Sequence, residues 1–149
     1  MFFQNEEDKD LFIKNKLVNS KKTGVLPGSG IDLNKFKTTS LPETLHILFI
    51  GRLLYDKGIV EFLEACKEIK KTHKNNVVFS IVGKIEETAK LGIPLGILEE
   101  YTSQNIVHYR GTTDDISKEI EKASVIILPS YREGTPRTLL EGAAMGRPL

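Results

Sequence analysis

Four apolar runs of strand length, separated by stretches with helical spacing, constrain this chain more than any other feature. The runs "TLHILFI" (residues 44–50), "NVVFSIV" (76–82), "NIVHY" (105–109) and "SVIILP" (124–129) are almost continuously apolar. Strands in a parallel sheet covered on both faces need that character. Between them, apolar residues recur at helical period over about residues 57–71 and 114–122. The pattern is weaker within 86–101, where Pro94 and Gly96 predict two short pieces or a loop. A last helix is expected to begin near Pro136. Such alternation predicts βαβ units, so the expected fold class is α/β, a parallel sheet with helices on both faces.

The first 43 residues follow another pattern. An apolar "MFF" and an acidic "NEEDKD" lead into a helical "LFIKNKLV", then into "GVLPGSGIDLNKF", which reads as a short strand running into a Gly and Pro turn. The polar "KTTSLPE" reads as a linker. Residues 1–40 are therefore expected to belong to something other than the βαβ unit, which residues 41–149 form. At the other end, "MGRPL" places Gly146 where a helix would release the chain into another strand, so the chain is expected to be a piece of a longer protein.

Charge excludes some partners. The 149 residues carry 21 Lys and Arg against 20 Asp and Glu, interspersed, which is neither a nucleic-acid footprint nor a polybasic membrane patch. The apolar runs are too short to span a bilayer. The one cysteine, Cys66, shares an apolar helix face with Ile59, Leu63 and Ile69, the place of a buried structural thiol. Three histidines (His46, His73 and His108) show no metal-ligand spacing, and no metal is expected. A soluble, reducing compartment follows as the expectation.

In an open parallel sheet, ligands sit beyond the carboxyl ends of the strands. After the first run comes "GRLLYDKG", in which Arg52 and Lys57 suit a diphosphate at a helix start, or are simply solvated charges. Gly83 after the second run permits close approach of a ligand, or a tight turn. Arg110 after the third could stack on a base or face water. In "TTDDIS", Asp114 and Asp115 could suggest a metal, but one of Thr113, Asp114 and Asp115 is rather expected to cap the following helix.

The fourth strand end carries "EGTPRTLLE". Thr135 is expected to cap the helix, with Pro136 in its first turn, leaving the amides of Gly134, Thr135 and Arg137 directed at an anion. Glu133 and Glu141 border the same crevice on this reading. Carboxylates repel phosphate but accept hydrogen bonds from sugar hydroxyls, so amides and cations for a diphosphate beside acids for hydroxyl-rich ends describe a nucleotide-sugar site.

The ordered set "GSGID" (28–32), "ILFIGRLLYDKGIVEFLEA" from 47, "VVFSIVG" from 77, "VHYRGTTDDI" from 107 and "ILPSYREGTPRTLLEGAAMGRP" from 127 resembles the retaining nucleotide-sugar glycosyltransferases of family 4. These have the GT-B fold, two Rossmann-like domains facing across a cleft. The resemblance implies that Arg52 and Lys57 bind the donor diphosphate and stabilise the leaving group. It places Glu133 near the donor sugar, Glu141 on the ribose hydroxyls and Arg110 along the base. It further implies a UDP-sugar donor, a glycan or lipid-linked acceptor, retention of configuration and no bound metal. Bacterial surface polysaccharide synthesis at the cytoplasmic face of the membrane is the implied setting, with peripheral membrane association through a missing N-terminal domain. Pro136 departs from the glycine of many relatives and removes one amide. The fragment alone is expected to be inactive; a non-catalytic nucleotide-binding module and a GT-B sugar-nucleotide epimerase are the alternatives.

Overall fold

The computed structural model describes every residue except Pro27, Ser29, Lys74, Asn75 and Glu87, so part of the expected Gly and Pro turn and of "GSGID" lies outside the described residues. The elements in chain order are β1 (Phe2–Phe3), α1 (Glu6–Lys14), β2 (Gly24–Val25), β3 (Leu45–Ile50), α2 (Ile59–Thr72), β4 (Val77–Val82), α3 (Leu95–Ser103), β5 (His108–Tyr109), α4 (Ile116–Glu121), β6 (Val125–Ile127) and α5 (Arg137–Ala144). Two short parallel strands, β1 and β2, make a small sheet, and the four remaining strands form a parallel sheet in the order β5-β4-β3-β6.

Alternation along the strands sorts the core into two layers. Phe49, Phe79 and Ile81 point to one face, where they meet Ile59, Phe62, Leu63 and Cys66 of α2 and Leu98 and Tyr101 of α3. Leu48, Ile50 and Val82 point to the other, against Ile120 of α4, Met145 after α5 and Phe36. Apolar burial on both faces is why these runs lack the polar alternation of a one-sided sheet. Cys66 is 1% exposed, and burial pushes its thiol up to about 12, as a structural thiol requires.

Several boundaries differ from the sequence expectation for local reasons. The third strand is only His108–Tyr109, because Asn105 (φ 54°) turns the chain and the Ile106 amide bonds back to the Tyr101 carbonyl at the end of α3. The first helix starts earlier than expected, since the Asn5 side chain caps it by accepting from the Asp8 amide at 2.7 Å. Residues 57–71 split into a 3-10 turn at Tyr55–Lys57 and then α2, with Gly58 between them. Gly58 has φ 69°, and a Cβ there would lie 2.0 Å from the Pro129 carbonyl oxygen, so only glycine lets this turn cross the end of β6. Of the weak pattern at 86–101, only Leu95–Ser103 is helical; the preceding loop is tied to the post-β3 segment by Leu53 N to Lys84 O at 3.0 Å and Tyr55 N to Leu91 O at 2.8 Å.

Two polar networks lie away from the carboxyl ends of β3 and β6. His46, buried in β3, has Nδ1 2.8 Å from the Lys122 carbonyl and Nε2 2.9 Å from Ser80 Oγ. A carbonyl only accepts, so Nδ1 carries the proton and Nε2 accepts from the serine. Arg147 is 3% exposed and donates to the Ile120, Glu121, Met145, Thr39 and Ser40 carbonyls and to Thr39 Oγ1. It ties the linker to the negative ends of α4 and α5.

Candidate functional site

The strand order puts the topological switch between β3 and β6. From β3 the chain runs outward to β4 and then β5, and afterwards returns through α4 to β6 on the opposite side of β3. Loops leaving β3 and β6 therefore diverge and open a crevice at their carboxyl ends. A cavity of about 210 Å³ lies there, lined by Arg52 and Lys57 from the first loop and Glu133, Thr135, Pro136, Arg137 and Thr138 from the second, over Ile50, Gly51 and Leu128. Of the four strand ends weighed from the sequence, two meet in one site.

Within it the charges are paired. Lys57 Nζ donates to Glu133 Oε1 at 2.7 Å, with both side chains largely sheltered. Arg52 is more open, its Nη1 3.8 Å from Glu86 Oε2. Arg137 reaches Glu141 Oε1 at 3.7 Å, one turn along α5. Glu141 does not line the cavity; it is buried beside it, and that burial raises its carboxyl above the usual range against the opposing pull of Arg137 and Lys35. Lys35 had no signal in sequence, because it lies 106 positions away along the chain.

Thr135 does not cap α5. The N-cap position is Pro136 (φ −72°, ψ 100°), and no side chain closes it, so the first-turn amides keep no side-chain partner at the cavity wall. The preceding helix differs in the same way: Asp115 holds the N-cap position of α4 without capping its backbone, its carboxylate accepting instead from Ser117 Oγ at 2.6 Å.

Gly83 and Arg110 lie outside this cavity. The Gly83 requirement is met within the protein, since a Cβ there would come 1.7 Å from the Gly51 carbonyl oxygen where the two strand ends cross. Arg110 lines a neighbouring cavity with Tyr109, Thr112 and Glu119. Gly134 abuts Gln4, and Gly28 abuts Thr135, so the N-terminal residues pack against the loop that carries Glu133. Arg132 pairs with Asp8 of α1 in the same region. Among the described residues no three His, Cys, Asp or Glu side chains gather as a metal set.

A doubly covered parallel sheet with a crevice at its switch point is a Rossmann-like α/β architecture, the kind found in GT-B glycosyltransferases. The sequence pattern of the family described as "Glycosyl transferases group 1" matches residues 44–149, and the chain belongs to that family. It is 29% identical, over 99% of its length, to an N,N'-diacetylbacillosaminyl-diphospho-undecaprenol alpha-1,3-N-acetylgalactosaminyltransferase of Campylobacter jejuni. It is 30% identical, over 97% of its length, to a UDP-Gal:alpha-D-GlcNAc-diphosphoundecaprenol alpha-1,3-galactosyltransferase of Escherichia coli. The chain spans 40% of the length of each of these two relatives. Among solved structures, it superposes on WaaG, a glycosyltransferase involved in lipopolysaccharide biosynthesis, with TM-score 0.77 at 18% identity, covering 99% of this chain and 42% of that one. A glycosyltransferase from Rickettsia africae gives TM-score 0.75 at 20% identity, covering 98% of this chain and 42% of that one. At such identities the superpositions establish the fold. No helix among the described residues is long and apolar enough to cross a membrane.

Proposed function

We propose that residues 41–149 are the donor-binding part of a glycosyltransferase that moves a sugar from a nucleotide-sugar, a UDP-sugar, to a lipid-linked or glycan acceptor with retention of configuration. In this reading residues 1–40 are the tail of an acceptor domain. The observation that carries it is the meeting of Arg52 and Lys57 with the α5 start and Glu133 across the switch point, in one cavity.

Arg52 offers a planar fork and Lys57 a point charge to the diphosphate, and the amides at the start of α5 add a partial positive field. These groups stabilise the charge that gathers on the departing nucleoside diphosphate, so no metal is needed for that task. Glu133, at the cavity wall, accepts from the donor sugar, and Glu141 from ribose hydroxyls. The names of the two curated relatives, both acting on diphospho-undecaprenol substrates, support a lipid-linked acceptor and bacterial surface glycan synthesis. Work at the cytoplasmic face of the membrane, with peripheral association through the acceptor domain, belongs to the same reading.

Calorimetric titration of the chain with UDP, GDP and ADP, beside Arg52→Ala and Glu141→Ala, tests it. Saturable binding of UDP, weakened by both substitutions, is expected. A folded chain, and a complete protein, that bind none of the three would overturn the reading.

A further inference from the structure

The cavity at the switch point has a neighbour. Ile50 at the end of β3 pairs in register with Val82 at the end of β4, and each lines one of two cavities. Adjacent strands lie about 4.8 Å apart, so the two cavities sit side by side along the sheet edge. The second, about 380 Å³, is walled by Val82, Tyr109, Arg110, Thr112, Thr113 and Glu119.

Glu119 stands out within it. It is a largely buried acid on α4, with Oε1 accepting from Lys122 Nζ at 2.9 Å and Oε2 2.7 Å from Arg110 Nε. Burial opposes its charge, but Lys122 and Arg110 outweigh that and hold the carboxyl below its usual range, so it is an anion. The Arg110 contact is an ion pair by distance without an aligned hydrogen bond, and Oε2 has no hydrogen-bond partner. A buried carboxylate oxygen in that state is costly. Arg110 itself is 43% exposed along its side chain, so Glu119 is the fixed member and Arg110 the movable one.

We propose that Glu119 is a positioning residue that holds the Arg110 guanidinium by its Nε edge over the second cavity, leaving its flat face for the nucleobase of a nucleotide whose diphosphate occupies the first. This rests on the function proposed above and adds a residue to it. A guanidinium fixed along one edge presents a plane and two outer nitrogens, which suits stacking on a planar ring. Ligand seating that turns Arg110 flat also lets it align on Oε2.

The test is calorimetric titration of the full chain with UDP and with inorganic pyrophosphate, for wild type, Glu119→Gln, Arg110→Ala, the double variant and Lys122→Met. Glu119→Gln is expected to weaken UDP binding about 3- to 10-fold, the scale of one guanidinium–ring contact, and to leave pyrophosphate binding unchanged. In the Arg110→Ala background the same substitution should add no further loss. Lys122→Met, which removes the other partner of Glu119, should bind UDP as wild type does. Equal UDP affinity in wild type and Glu119→Gln overturns the inference alone, as does equal weakening of UDP and pyrophosphate. Absence of nucleotide binding by the folded wild-type chain and by the complete protein overturns the functional reading and this inference together.

Discussion

Lys57 Nζ and Glu133 Oε1 lie 2.7 Å apart across the mouth of the switch-point crevice, although 76 residues separate them in sequence. The lysine that would hold a diphosphate is therefore neutralised by an acid in the unliganded protein. On the proposed function, a diphosphate arriving at Lys57 would compete with Glu133 and release it toward the sugar. Glu133→Gln is expected to leave UDP affinity equal or a few-fold tighter, because the competitor has lost its charge. In the complete enzyme, turnover should fall by about 100- to 1000-fold, the range for loss of one preorganised polar group. Calorimetry and turnover on the same variant check the pair of outcomes, and weaker UDP binding with normal turnover would contradict both.

Glu141 is held in the fold at a cost. Burial raises its carboxyl above the reference value of 4.5, so the native state favours the protonated form more than the unfolded chain does. Stability contributed by that proton is fully present below the unfolded value and is lost as pH rises through the folded value. Burial opposes the charged form of this carboxyl, and donors such as a ligand's hydroxyl groups would offset that opposition. Glu141→Gln is expected to raise the unfolding midpoint at pH 7, to flatten its dependence on pH above 4.5, and to reduce stabilisation by UDP. Thermal denaturation with and without nucleotide measures all three; a lower midpoint at pH 7 would count against the assignment.

His46 supplies the opposite dependence at the other end of the sheet. Burial lowers its imidazole below 6.5, with the Lys122 carbonyl pulling the other way. The neutral ring fits the Ser80 and Lys122 contacts, and the unfolded chain binds the proton first on acidification. Stability should fall as pH drops below about 6.5. His46→Gln should be less stable at pH 7.5 by about 1–3 kcal/mol, through buried groups left unpaired, yet lose less between pH 7.5 and 5.5. Denaturant melts at the two pH values decide it.

Gly83 and Gly58 are demanded by backbone approach. An added Cβ would meet the Gly51 carbonyl oxygen at 1.7 Å or the Pro129 carbonyl oxygen at 2.0 Å, and neither atom belongs to a flexible side chain. Alanine at either position is expected to cost about 1–3 kcal/mol or more. Gly96, within α3 and with nothing within 4 Å of its added Cβ, is the control, and Gly96→Ala should stabilise by about 0.5–1 kcal/mol. Urea denaturation of the three variants is sufficient.

Much of this was legible in the sequence because its causes are local. Period and apolar content revealed the strands and helices, and the α2 face around Cys66 follows from spacing of three and four. The weaker signals were overridden: Asn105 turns the chain so that the third strand starts only at His108, and Pro136, not Thr135, holds the N-cap position of α5. Glu119 gave no sequence signal as a site residue, since its role arises only where α4 brings it to Arg110. Arg147 likewise gave no signal in sequence of its place among the carbonyls of two helix ends.

The sequence by itself determined that the chain would build a parallel sheet covered on both faces, and which residues would stand at the carboxyl ends of its strands. Hydrophobic periodicity is a property of neighbours along the chain, so no structure was needed to read it. Only the tertiary structure decided which strand ends adjoin. The order β5-β4-β3-β6 brings Arg52 and Lys57 to Glu133 and leaves Gly83 to meet Gly51 instead of the cavity. Strand order depends on how helices pack across the whole sheet, a long-range choice that no run of residues encodes alone.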